Sequence, residues 1–542
     1  MNNFTKAGIV LVFLLFLFFG FFFLDIPSVK SDELWETSRA YYLKNNLHPG
    51  EPLLPKEIAP FFATIQELGW KSWFIGSLKF GSSAMLMKIL PLDPLHANRM
   101  NGFLWSLSVC LFTYLLARKA GLNKWYSLLC VAVLMALPEF FHQVHRERAE
   151  MLICSLLLLG LLMLIKSFEA QDLTKKRWWL LATGLFAWLP SMLVHASAIV
   201  IPATIGILYL LKERRKIISL NTIIVGIGLA GGLLFFFYIK NAMGAYAISQ
   251  GGSDFYSAHA CPPVICDGPG YILHLPAVFY NKFVKANAWS QPISALFFVL
   301  TAGYLVLLIW KRRKDTSNEK NIFLITSIAV PLLIMLLLSG SYGNYNLIVA
   351  PFVVIASVLF FHQKAAIVNS PAMGILISLI LCILLTTNVI GMKSQYEATQ
   401  EYKRINEELR KSIPVSANVM GMSLYYLPFR DQHYYSVTWF EPSVGRANLS
   451  FEEAVRIEKI NYIIADDAFA SRANFRGKKW ADSLWEFLNS NATMIRQIDT
   501  RMYLKIIPDS TLIPLQFRYA EFERSYVKRI RVYEINRINI LK

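Results

Sequence analysis

Apolar runs long enough to cross a bilayer recur through residue 391, and the short polar links between them are rich in lysine and arginine on alternate sides. In hydrocarbon every backbone N–H and C=O must be satisfied within the segment, so each such run is expected to be a helix. Runs fall near 8–24, 99–117, 125–141, 150–166, 178–192, 194–211, 218–238, 290–310, 321–339, 345–362 and 371–391. That makes about eleven spans on length and hydropathy. The first run ends in Phe-Phe-Phe-Leu-Asp with no small-residue cleavage site, so it is read as a retained helix.

Charge sets the orientation. With the N-terminus in the cytoplasm, the inner links carry Arg118, Lys119 and Lys124; Lys166, Lys175, Lys176 and Arg177; Lys212, Arg214, Arg215 and Lys216; and Lys311, Arg312, Arg313 and Lys314. The inner link around Lys364 is weak, but the other four follow the positive-inside rule. An odd number of spans then puts everything after Lys393 outside. The 25–98 and 239–289 loops and the 142–149 turn fall outside with it. Hydrophobic residues make up 55% of the chain, and only 17% is charged, less than a soluble protein of this size carries. The net charge of +18 lies largely in topology-setting clusters facing anionic headgroups, so nucleic acid is not the expected partner.

The chain divides at residue 392 into a membrane domain, 1–392, and a soluble outer domain, 393–542. Within the first outer loop, Trp73–Leu90 is moderately apolar but contains Lys79 and Lys88, which predicts an interfacial helix. The outer domain reads as mixed α/β. Helices are expected over 395–412 and 477–488, and strands over Val415–Met422, Asn461–Ala465, Met502–Ile507 and Arg531–Ile535. Ser450-Phe451-Glu452-Glu453 is a capping box opening a further helix. Cys110, Cys130, Cys154 and Cys382 lie in apolar spans as packing residues. Cys261 and Cys266 share a polar outer loop, where a disulfide and a pair of free thiols are both open readings.

Ionisable groups at the membrane are costly and need a reason. Asp32 and Glu33 follow the first span, and on a helix Asp32, Glu36 and Arg39 share a face. A plain solvated helix start with acids at its N-terminus is the competing reading. His142, His145, Arg146, Glu147, Arg148 and Glu150 cluster outside, where positive charge does nothing for topology. Arginines there suit a phosphate, or else snorkel at an interfacial turn. His195 starts a span at its outer end, as a phosphate contact or as a packed, hydrogen-bonded residue. A carboxylate on this face can deprotonate an acceptor, and basic groups can stabilise a leaving phosphate.

In order and sidedness these motifs resemble the GT-C glycosyltransferases, among them the protein O-mannosyltransferase and lipid A aminoarabinose transferase families. The first-loop acidic pair matches Asp32-Glu33, and the family's Arg-Pro-acid-Met-Leu step resembles Arg148-Ala149-Glu150-Met151-Leu152. Its Leu-Thr-His turn resembles Leu193-Val194-His195. Its late Tyr-rich, Pro-containing span matches Tyr345 to Pro351, and its second span matches Arg99 and Leu115-Leu116-Ala117-Arg118. The family's Lys-Pro-Pro-Leu element in the first outer loop is missing here.

The resemblance implies a GT-C-type polytopic helical membrane protein with an extracytoplasmic α/β domain. It implies inverting transfer from a polyprenyl-phosphate-linked sugar to a lipid, glycan or protein acceptor outside the cytoplasm. Asp32 is then the expected base, with Glu33 as alternate. Glu150 orients acceptor or a divalent metal, and Arg146, Arg148 and His195 meet the donor phosphate. Glu36, Arg39 and Tyr345 are candidate acceptor or sugar contacts. The short loops suit a bacterial inner membrane. The rival classes are an O-antigen polymerase or ligase, which is not expected to carry a terminal domain, and a transporter or scaffold. A transporter would place its charges at mid-membrane instead of at outer span ends.

Overall fold

A computed structural model of the chain describes residues 3–25, 31–46, 77–144, 149–192, 200–213, 299–306, 346–362, 371–437, 449–466, 478–500 and 529–536, with isolated positions between them. Of the sequence-based expectations, the 218–238 span, the Cys261–Cys266 loop and the Met502–Ile507 strand lie outside the described residues, as does most of 290–310 and 321–339.

The membrane part begins with helix α1 (Asn3–Phe22), followed by α2 (Ser31–Asn46) and α3 (Ser77–Ile89) of the first loop. Then come α4 (Pro94–Lys119), α5 (Lys124–Ala136), α6 (Pro138–Gln143), α7 (Ala149–Glu169), α8 (Leu173–Thr183), α9 (Val200–Glu213) and α10 (Asn346–His362). Thr5–Phe22, Pro94–Lys119 and Ala149–Glu169 are long and apolar enough to cross a membrane, and shorter apolar helices pack between them. Their outward residues are apolar: Leu14, Phe18 and Phe22 on α1 are exposed, as a lipid-facing stripe requires.

Local chemistry sets the boundaries. Asp93 caps α4 by accepting from the Leu95 and His96 amides, with Pro94 at the first helical position. Gly121, at φ +96°, supplies the left-handed turn that reverses the chain into α5, whose cap is Asn123. The expected 125–141 span breaks at Leu137-Pro138, because proline has no N–H to continue the helix. A π-helical turn, Gly184–Trp188, interrupts the expected 178–192 span after α8. Opposite that turn, Gly160 of α7 allows close approach: a Cβ there would sit 2.5 Å from Ile205 Cδ1 and 2.9 Å from Ala187 Cβ.

The two ends of the bundle carry different groups. At one end the Lys6 ammonium lies 5.2 Å from the Trp125 ring, and Lys119 pairs with Glu169 at 2.7 Å. Tyr126 meets His362 edge-on at the same end. Asp25, the N-terminus of α4, the N-terminus of α7 and the first-loop helices gather at the other end.

One helix packs into two separate hydrophobic cores. The sequence predicts a span over 371–391 and a separate helix over 395–412, but α11 runs unbroken from Pro371 to Ser412. At 1.5 Å per residue its 42 residues extend roughly 63 Å, about twice the hydrocarbon thickness. Its lower half buries Leu381, Leu384 and Asn388, and Asn388 donates to the Ala136 carbonyl. Its upper half buries Ala398, Tyr402, Ile405 and Leu409, at helical spacing.

That upper stripe backs the terminal domain. Strands β1 (Val419–Gly421), β2 (Tyr434–Ser436), β3 (Tyr462–Asp466), β4 (Ala492–Asp499) and β5 (Arg529–Ile535) form a sheet in the order β2-β1-β3-β5-β4. The β2-β1-β3 part is parallel and the β3-β5-β4 part antiparallel. Helices α12 (Phe451–Ile457) and α13 (Lys478–Asn491) complete the domain. Both halves of the predicted capping box form at Ser450 and Glu453. The first loop contributes to this core as well. Leu34 and Leu53 are buried in it, and the Ser436 amide donates to the Leu53 carbonyl at 2.9 Å. Burying one such leucine contributes about 1.5–3 kcal/mol.

Candidate functional site

The acids of the first loop sit on a helix gripped from both sides. The inner face of α2 presents Glu33, Thr37, Ser38 and Ala40, all buried. Small side chains there let α2 lie close to α4. Thr37 donates back to the Glu33 carbonyl at 2.7 Å, and its hydroxyl accepts from Asn98 of α4 at 2.7 Å.

Arg99 is the centre of the contact. Its side chain is 0% exposed, one turn into α4. Its Nε donates to Glu33 Oε1 at 2.7 Å, its Nη2 donates to Glu33 Oε2 at 3.1 Å, and its Nη1 donates to the Leu24 carbonyl at 2.7 Å. This two-pronged geometry is what a guanidinium fork and a carboxylate form, and what lysine cannot copy. The pair fixes α2 to the C-terminal end of α1 and the N-terminal end of α4.

A second buried polar layer lies between α2 and α3. Lys79, only 3% exposed, pairs with Glu36. The Arg39 guanidinium stacks 4.4 Å from the centre of the Phe80 ring. Asn101 of α4 donates to the Ser82 and Ser83 hydroxyls of α3, each at 2.9 Å. Glu36 and Arg39, candidate contacts from sequence, are thus packed together with Lys79. Sequence reading had used Lys79 only as a sign that α3 lies at an interface.

The terminal domain closes over the same ground. Tyr402 of α11 lies near Glu33 and Arg99 and donates to the Leu424 carbonyl at 2.9 Å. Burial pushes its phenol far up; Asn406 works against this, Glu33 adds to the rise and Arg99 opposes it. It therefore remains a protonated donor. Tyr41 donates to Asp431 at 2.6 Å, and burial followed by that carboxylate raises its pKa. Deeper in the domain Tyr425 donates to Asp466 at 2.5 Å, at the end of β3.

Glu150 is buried in the first turn of α7, where a helix N-terminus favours a carboxylate. It lies at the same end of the bundle as Arg99. The Asp32 backbone is part of α2, but its side chain lies outside the described residues, as do Arg146, Arg148, His195, Tyr345, Cys261 and Cys266. Of the predicted set the structure brings together Glu33, Glu36 and Arg39, and adds Arg99, Lys79 and Tyr402. Cys110, Cys130 and Cys154 are buried, as expected of packing residues, whereas Cys382 is exposed on α11. Among the described residues, no three His, Cys, Asp or Glu side chains converge as a metal site.

No family model and no curated protein matches the sequence. Solved structures do match. ArnT from Cupriavidus metallidurans, bound to undecaprenyl phosphate, superposes over 98% of this chain and 99% of its own, with a TM-score of 0.57 at 10% identity. The archaeal oligosaccharyltransferase AglB from Archaeoglobus fulgidus, in complex with an inhibitory peptide and a dolichol-phosphate, superposes over 98% of this chain and 88% of its own, with a TM-score of 0.55 at 11% identity. The same enzyme in the apo form gives 0.54 at 9% identity, over 98% and 88%. At such low identity the likeness shows the fold alone, the GT-C architecture that these structures share.

Proposed function

We propose that the chain is a multi-pass membrane glycosyltransferase that moves a sugar from a polyprenyl phosphate to an acceptor on the extracytoplasmic face, with inversion. The supporting observation is the assembly at one end of the bundle. Glu33, Glu36 and Arg99 lie there together with Tyr402, and Glu150 lies at the same end, opposite Lys6 and Lys119. The positive residues Lys6 and Lys119 at the opposite end support a cytoplasmic side there by the positive-inside rule. The full-length likeness to two polyprenyl-phosphate-bound structures supports the donor class.

Asp32 is the base in this reading. Glu33 gives both its oxygens to Arg99, which fits it for holding α2 in place. The Asp32 carboxylate takes the proton of an acceptor hydroxyl or amine. The freed lone pair attacks the anomeric carbon, the bond from that carbon to the phosphate oxygen breaks, and the electron pair leaves with the lipid phosphate. Arg146, Arg148 and His195 receive that phosphate, and Glu150 orients the acceptor. Glu36, Arg39 and Tyr345 line the sugar or acceptor path. The setting is a bacterial inner membrane with about eleven spans.

The test is transfer by purified full-length protein from radiolabelled undecaprenyl-phosphate sugars to envelope fractions of the parent cell. The wild type is expected to transfer one sugar, and Asp32→Asn to lose about 10²–10⁴-fold in rate. Near-normal transfer by Asp32→Asn removes Asp32 as base. No transfer from any donor favours a scaffold.

A further inference from the structure

Three residues outside the proposed chemistry meet at the outer end of α1. Asp25 follows Leu24, whose carbonyl holds Arg99 Nη1 at 2.7 Å. Asp25 Oδ1 lies 2.7 Å from His96 Nε2, and its Oδ2 accepts from Lys403 Nζ at 2.8 Å. The other ring nitrogen of His96 meets Asp93, the cap of α4. Three elements distant in sequence are therefore tied through one carboxylate: the end of α1, the start of α4 and the upper part of α11.

We propose that His96 and Lys403 are positioning residues that latch the terminal domain to the membrane domain and hold the α2 acids in working register. The geometry gives the route. Arg99 lies one helical turn after His96 and depends on the Leu24 carbonyl for its third hydrogen bond. The Leu24–Asp25 turn is held from one side by His96 and from the other by Lys403. Releasing Asp25 frees that turn, Arg99 loses a fixed acceptor, and the Glu33 clamp on α2 loosens. Displacement of about 1 Å at a reacting group costs on the order of 100-fold in rate, so a latch remote from the chemistry can act on it. Both imidazole nitrogens face carboxylates: Asp93 on its own helix, and Asp25 from α1, which Lys403 of α11 also contacts. An imidazolium donates to both, and a neutral ring to only one.

The catalytic part of this inference rests on the function proposed above, and the latch itself does not. The experiment uses full-length protein in nanodiscs of phosphatidylethanolamine and phosphatidylglycerol, with variants His96→Ala, His96→Gln, Lys403→Met and Lys403→Arg. Hydrogen–deuterium exchange of residues 31–46 reads the clamp without any substrate. Faster exchange in His96→Ala and Lys403→Met, restored by Lys403→Arg, is the expected result. Wild-type exchange in both overturns the latch, and Lys403→Met keeps the test alive should His96→Ala fail to fold. In the transfer assay kcat is expected to fall about tenfold with donor KM within twofold, the sign of misplacement over lost binding. His96→Gln, whose amide can donate to Asp25 or to Asp93 but not hold both as the ring does, is expected to fall between wild type and His96→Ala in exchange and in kcat. Wild-type exchange and kcat in His96→Ala and His96→Gln alike overturn the part assigned to His96. Full transfer by Asp32→Asn would defeat the functional reading and leave the exchange result to decide the latch.

Discussion

At the scale of single residues, one fully buried arginine governs the site. In sequence Arg99 stands out as the leading arginine of a span that resembles the family's second one, and the structure adds the bidentate contact with Glu33 and the carbonyl contact with Leu24. Arg99→Met leaves Glu33 as a buried carboxylate without its partner, which costs about 3–5 kcal/mol. Arg99→Lys keeps the charge and loses the fork, so it is expected to recover only part of that loss. Thermal unfolding in detergent measures both, and equal midpoints for wild type and Arg99→Met would refute the clamp. Asp25 adds a pH dependence. Burial works against its ionisation, but hydrogen bonds from Lys403 and His96 outweigh it and hold the carboxyl below its usual range. A depressed carboxylate contributes stability that is present above its unfolded pKa, about 4, and is lost as pH falls through the lower folded value. Docking of the terminal domain, followed by exchange of residues 396–412, is expected to hold at neutral pH and weaken under acid. In Asp25→Asn that acid dependence is expected to shrink.

Elements were legible where their pattern was long. Helices α1, α4 and α7 lie where the apolar runs placed them, because runs of this length have one structural solution in a bilayer. The capping box at Ser450 and the N-Y-I-I-A strand were also readable, since each is a local signal. What failed were boundaries set by tertiary contact. The single helix α11 read as two because its pattern changes near Lys393 from lipid-facing to amphipathic, while the backbone continues unbroken. Strand β4 was missed because it is an edge strand exposed over most of its length, so it has no alternating apolar pattern. The contacts of Asp25 with His96 and Lys403 span 71 and 378 residues, beyond the reach of any local motif. Helix packing makes its own prediction at Gly160. Gly160→Leu must displace Ile205 and Ala187, and overpacking of this kind costs about 1–3 kcal/mol. A lower melting temperature checks it, and an unchanged one would mean that the α7–α9 contact yields freely.

Across the whole molecule, part of the first loop packs into the core of the terminal region at one end of the bundle. The loop lends Leu34 and Leu53 to the domain's core, and the domain lends Tyr402 and Lys403 to the ground around the acids. That sharing ties topology to function, because the acids and the terminal domain must face the same compartment. Labelling of single cysteines with a membrane-impermeant maleimide in intact cells decides which one. Positions 415 and 171 suit the test, since Val415 is exposed in the terminal domain and Gln171 is exposed at the opposite end, beside Glu169. In a background with the native cysteines replaced by serine or alanine, Val415→Cys is expected to label in intact cells and Gln171→Cys only after permeabilisation. The reverse pattern would put the α2 acids in the cytoplasm and contradict the account of both topology and transfer.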